Sequence, residues 1–77
     1  MNSRVEARTL VARCMDAPHL LAEISDEEDL ISAGVNSGEI ILVSLECEKF
    51  LGRPLTDDEL ASLLSISDVA SLLSGTH

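Results

Sequence analysis

Ser37 opens an apolar stretch directly behind the segment Asp29-Leu30-Ile31-Ser32-Ala33-Gly34-Val35-Asn36. Asn36 is a favourable N-cap residue, and Glu39, three positions on, can reach back to the Asn36 amide, so the pair reads as a capping box that fixes a helix start. Ser37 then takes the first helical position with its hydroxyl towards solvent. A nucleophilic serine needs a general base that is itself held in place by a third group. The two histidines, His19 and His77, stand in a connecting segment and at the last position, and neither is near Ser37 in sequence. Ser37 therefore reads as an attachment point whose chemistry comes from outside. No catalytic residue is expected in the chain, and a small hydrolase is disfavoured for lack of partners for Ser37.

The elements that must position this serine are short and helical. At 77 residues the chain is a single domain, of a size that buries only about 60% of its surface on folding and encloses no large active site. The sequence is 45% hydrophobic with one aromatic residue, Phe50, so the core is built from Leu, Ile, Val and Ala, a composition suited to packed helices. Ala7, Leu10, Val11 and Cys14 recur at helical spacing and predict a first helix over 3–15, stopped by Asp16-Ala17-Pro18. A connection of about 20 residues follows, a length that is uncommon unless functional; its Leu20, Leu21, Ile24, Leu30 and Ile31 are expected to pin it across the bundle. The second helix spans 37–51 and stops at Gly52. Thr56 and Glu59 form a second capping box, for a short helix over 57–63, and Ser65 with Asp68 starts a last one over 66–73. The expected fold is all-α: three main helices, one short one and a long first loop.

Charge is unevenly placed. Residues 1–15 carry Arg4, Arg8 and Arg13 against Glu6, whereas residues 16–48 carry nine carboxylates and neither Lys nor Arg, within a formal net charge of −9. That middle third repels nucleic acid and steers basic partners towards itself. Cys14 and Cys47 fall at apolar positions of separate helices, with no metal-ligand spacing, and read as buried thiols; no metal site is expected. The longest apolar run, Ile40 to Val43, is far too short to span a membrane, and no signal-peptide pattern opens the sequence, so a cytoplasmic protein is expected. On the second helix, Ile40, Val43, Ser44, Cys47 and Leu51 share one side while Leu42 and Leu45 lie opposite. Leu42 and Leu45, flanked by Glu39, Glu46 and Glu48, are the expected docking face for a partner, the alternative being that one of the two leucines packs under the long loop.

Taken together, these elements and motifs resemble the acyl and peptidyl carrier proteins, the phosphopantetheine-binding domains of fatty acid, polyketide and nonribosomal peptide synthesis. The local match is Asp29-Leu30-Ile31-x-x-Gly34-x-Asn36-Ser37. In the same register Ile41, Cys47 and Leu51-Gly52 fall where the family has core residues and its helix end, and Ser65 to Leu73 is similar to the family's last helix, so the resemblance covers roughly residues 5–74. It implies that 4'-phosphopantetheine from coenzyme A is attached to Ser37 by a phosphopantetheinyl transferase. The terminal thiol would then hold an acyl or aminoacyl group as a thioester for enzymes with basic docking patches: acyltransferases, adenylation or ligase enzymes, or ketosynthases. A monomer that binds neither nucleic acid nor membrane is implied. Gly38 departs from the family pattern, which has Leu, Met or Ile after the serine; it marks a place where a partner's backbone could come close, and Gly38→Leu is expected to stabilise the helix slightly. Asn36 in place of the usual Asp or His, together with Gly38, points to a discrete carrier of a secondary-metabolite polyketide or nonribosomal peptide pathway. The rival reading is a helical interaction module that uses the same face and is never modified.

Overall fold

The computed structural model describes residues 3–75, so His77 lies outside the described residues. Four α-helices, α1 (Ser3–Arg13), α2 (Ser37–Leu51), α3 (Asp57–Ala61) and α4 (Ile66–Leu73), and a 3-10 helix at Pro18–Glu23 make up the regular structure, and no strand occurs among the described residues. The fold is all-α, as the periodicity of its apolar residues requires.

α1 turns Ala7, Leu10 and Val11 inward, and Cys14 and Met15 extend that buried row past its end. It packs most extensively along α4 and touches α2 and the 3-10 helix. α4 meets it with Ile66, Val69 and Leu72, one every third residue. α2 adds Val43, Ser44 and Cys47; the Ser44 hydroxyl donates back to the Ile41 carbonyl at 2.6 Å, which accounts for a buried polar residue in an apolar row. α3 buries nothing of its own and is anchored by its flanks, Leu55 and Leu63.

The long connection is no open loop. Pro18 opens the 3-10 helix at a position where its missing amide costs nothing. Leu21, Ile24, Leu30 and Val35 enter the core, but Leu20 and Ile31, expected to help pin the segment, are 40% and 49% exposed. Polar bonds supply the rest of the anchoring. Arg8 of α1 donates from Nε to Asp26 Oδ1 at 3.0 Å, from Nη1 to the Leu21 carbonyl at 3.0 Å and from Nη2 to the Ile24 carbonyl at 2.6 Å. Arg4 pairs with the second oxygen of Asp26 at 2.7 Å. Two backbone bonds, Leu30 N to Leu64 O and Ser67 N to Asp26 O, sew the second half of the connection to the start of α4.

Candidate functional site

The capping box at the start of α2 forms as its residue types dictate. Asn36 is extended (φ −79°, ψ 159°); its Oδ1 accepts from the Glu39 amide at 2.9 Å, and Glu39 Oε1 accepts from the Asn36 amide at 3.3 Å. Gly52 closes the helix in the left-handed region at φ 72°, where a side chain would be strained. Between these stops, Ser37 is the first helical residue and is exposed.

The amides of Asn36, Glu39 and Ile40 are taken up by the cap, while those of Ser37 and Gly38 take no part in it. A phosphate ester on Ser37 would sit at the positive end of the α2 dipole beside those two amides, an environment that suits a phosphodiester anion. The residues present therefore fit a phosphopantetheine arm, held through Ser37 Oγ and facing the backbone of Ser37 and Gly38. The Glu39 carboxylate, the nearest acid in sequence, accepts from two backbone amides, of Asn36 and of Asp16, one on each oxygen.

Gly38 is exposed, and a Cβ built on it would stand 3.2 Å from Asn36 Oδ1, the atom that caps the helix, with nothing else close. This alters the expectation for Gly38→Leu. The gain in helix propensity, up to about 1 kcal/mol in a helix interior, is set against a contact in which the cap oxygen must give by a few tenths of an ångström.

The outer side of α2 carries Leu42 and Leu45, 49% and 48% exposed, so neither leucine packs under the long loop. Ile41 joins them at 62% exposure. Its register with family core positions does not make it a core residue here, because it lies roughly a hundred degrees round the helix from the middle of the arc formed by Val43, Ser44, Cys47 and Leu51. Ser37, Gly38, Ile41, Leu42 and Leu45 thus share one solvent-facing side, related by steps of three and four residues.

The three glutamates expected to rim this face are engaged within the chain. Besides the Glu39 bonds, Glu46 pairs with Lys49 at 3.2 Å and Arg13 at 3.6 Å, and Glu48 Oε2 accepts from the Leu55 amide at 2.9 Å. Their charge still contributes to the acidic field, but each also holds a helix end or a seam.

Cys14 and Cys47 are free and buried. Burial pushes the Cys47 thiol up to about 11, with the neighbouring Cys14 and the charges of Glu46 and Glu48 adding to the effect; Cys14 is raised by the same burial and by Glu46. Thiols shifted in that direction are protonated at neutral pH and are poor nucleophiles. His19 is exposed in the 3-10 helix. No group of His, Cys, Asp and Glu suited to a metal ion occurs among the described residues. An open cleft of about 680 Å³ between α3 and α4 is lined by Arg53, Asp58, Glu59 and Asp68. Arg53 follows the far end of α2, about 20 Å along the helix from Ser37. No helix of the described residues is long and apolar enough to cross a membrane.

Comparison with protein-family models, with curated proteins and with solved structures gives no match.

Proposed function

We propose that the chain is a carrier protein, modified on Ser37 with 4'-phosphopantetheine and carrying an acyl or aminoacyl group between partner enzymes of a polyketide or nonribosomal peptide type of pathway. One observation carries the reading: an exposed serine at the first position of a capped helix, with both oxygens of the adjacent carboxylate committed elsewhere. Such a hydroxyl is open to an external enzyme and inert on its own. In the modification, Ser37 Oγ forms a bond to phosphorus of the coenzyme A diphosphate, the bond to the nucleotide phosphate breaks, and the serine proton passes to a base of the phosphopantetheinyl transferase. Once attached, the arm supplies a thiol for thioester chemistry. The chain's own part is to hold Ser37 outward, to offer a helix start favourable to the phosphodiester, and to present Gly38, Ile41, Leu42 and Leu45 as the surface next to it. Glu39, Glu46 and Glu48 supply the acidic field that draws basic enzymes, within the bonds described above.

The exposed apolar side of α2 also favours a second reading, a helical interaction module without modification. Intact mass separates the two. After incubation with coenzyme A and a broad-specificity phosphopantetheinyl transferase, the wild-type chain should gain one phosphopantetheine and Ser37→Ala none. Because Ser37 is not the capping residue, Ser37→Ala should keep its helix content and its stability within about 0.5 kcal/mol. A wild-type chain that stays unmodified while a control carrier is converted, or a Ser37→Ala chain that is modified, would overturn the carrier assignment.

A further inference from the structure

Residues 14–36 connect α1 to α2, and one side chain holds the backbone near the start of this connection, at Asp16, and at its end, at Asn36. Glu39 Oε2 accepts from the Asp16 amide at 2.8 Å, and Glu39 Oε1 accepts from the Asn36 amide at 3.3 Å. The second bond belongs to a capping box and fixes α2 only with respect to the residue before it. The first reaches back 23 positions to the residues that follow α1. Both are charge-assisted bonds from backbone amides, which are stronger than neutral ones.

From this we infer that Glu39 is a positioning residue: its carboxylate joins the start of α2 to the end of α1 and so sets where Ser37 stands on the bundle. The inference rests on Ser37 being the modified residue. A helix start tied only to its own cap can fray and swing with the loop that leads into it. With the second oxygen on Asp16, the first turn of α2 is referenced to the same seam that Arg13 and Glu46 close one to two turns further along, at 3.6 Å. An external transferase must find the hydroxyl at one place and in one orientation, and displacements of the order of an ångström lower rates by up to about 100-fold. Glu39 thus acts through Ser37, in addition to its share of the acidic field.

Glu39→Gln keeps a carboxamide oxygen for one of the two amides, and Glu39→Ala keeps neither. Glu46→Gln removes the same charge from the same helix, weakens only the 3.6 Å pair with a solvent-exposed Arg13 and the pair with Lys49, and leaves both Glu39 bonds to the Asp16 and Asn36 amides in place, so it serves as the control. With coenzyme A saturating and a broad-specificity transferase as probe, kcat should fall about tenfold in Glu39→Ala and less in Glu39→Gln, with little dependence on salt, while Glu46→Gln alters KM alone. In parallel, backbone ¹⁵N order parameters of Ser37 and Gly38 should drop from the rigid range near 0.85 to below about 0.6 in Glu39→Ala, with those of Val43 and Cys47 unchanged as a sign that the fold persists. Equal, salt-sensitive losses in Glu39→Gln and Glu46→Gln would show that Glu39 acts only by charge and would overturn the inference. So would a Glu39→Ala chain with wild-type kcat and order parameters. A wild-type chain that is never modified would overturn the reading of Ser37 itself, an outcome distinct from the other two.

Discussion

Asn36 with Glu39 and Thr56 with Glu59 make the same pair of bonds at the starts of α2 and α3. In one, side chain and backbone exchange bonds of 2.9 and 3.3 Å; in the other, of 3.1 and 2.9 Å. What surrounds them differs. α2 runs for 15 residues and places Val43, Ser44 and Cys47 in the core, whereas α3 runs for five and buries none. Glu39 sends its other oxygen 23 positions away to Asp16. Glu59 takes a two-pronged grip from Arg53, six positions away, at 2.9 Å on each prong. A capping box thus says where a helix begins, and burial decides how firmly that beginning is held in the fold. The start that is held firmly is the one carrying Ser37.

The comparison breaks first at the apolar residues. Leu30, 1% exposed, is the deepest anchor of the connection leading into α2, and Leu30→Ala should cost about 2–5 kcal/mol of folding stability. Leu60 of α3 is 43% exposed, and Leu60→Ala should stay within about 0.5 kcal/mol. Urea denaturation of the two variants measures both. A Leu60→Ala chain as damaged as Leu30→Ala would mean that α3 belongs to the cooperative core.

The caps sharpen the contrast at smaller magnitude. Asn36→Ala removes the acceptor for the Glu39 amide and should lower global stability by about 1 kcal/mol, because α2 cannot loosen without disturbing what Val43 and Cys47 pack on. Thr56→Ala removes the equivalent acceptor, but a helix with no buried residue can open alone. Its amides should exchange faster with solvent while the denaturation midpoint barely moves. Equal midpoint shifts in the two variants would place both helices in one cooperative unit.

Both capping boxes, the ends of α2 and the outward face of Leu42 and Leu45 are legible in the sequence, because each depends on residues within a turn or two of one another. Residues whose role depends on distant chain are not. Arg8 reads only as one of three cations of the basic first 15 residues, yet its guanidinium fork holds Asp26 and two carbonyls of the connection. Val35, next to the cap, reads as loop and is 2% exposed. Leu20 and Ile31 read as anchors and face solvent, since six residues of 3-10 helix and the turn after Leu30 set their direction independently of any helical period. Of the candidate site, the cap and the place of Ser37 at the first helical position could be named from local spacing. The Asp16 bond to Glu39 could not, because nothing in the sequence says which distant amide a spare carboxylate oxygen will meet.

The smallest effect should come from Arg53, and it tests the contrast from the side of α3. Its guanidinium meets both oxygens of Glu59, a geometry that favours the charged form and raises the arginine further above its ordinary value, chiefly through those hydrogen bonds. Arginine is charged across the whole accessible pH range in any case, so the shift brings no pH dependence. The arginine side chain remains 44% exposed, and ion pairs in contact with water gain little against the side-chain entropy of holding them. Arg53→Ala should therefore leave the denaturation midpoint within experimental scatter, with or without added salt, and should leave the α3 box intact, since Glu59 Oε1 still accepts from the Thr56 amide at 2.9 Å. Glu39 gives the opposite expectation: its second oxygen meets a backbone amide that has no rotamers to lose, at the far end of a long loop, so its removal is felt at Ser37. A midpoint for Arg53→Ala as low as that of Asn36→Ala would show that a solvent-facing side-chain pair can hold a helix start as firmly as burial does, and the distinction between the two starts would fall.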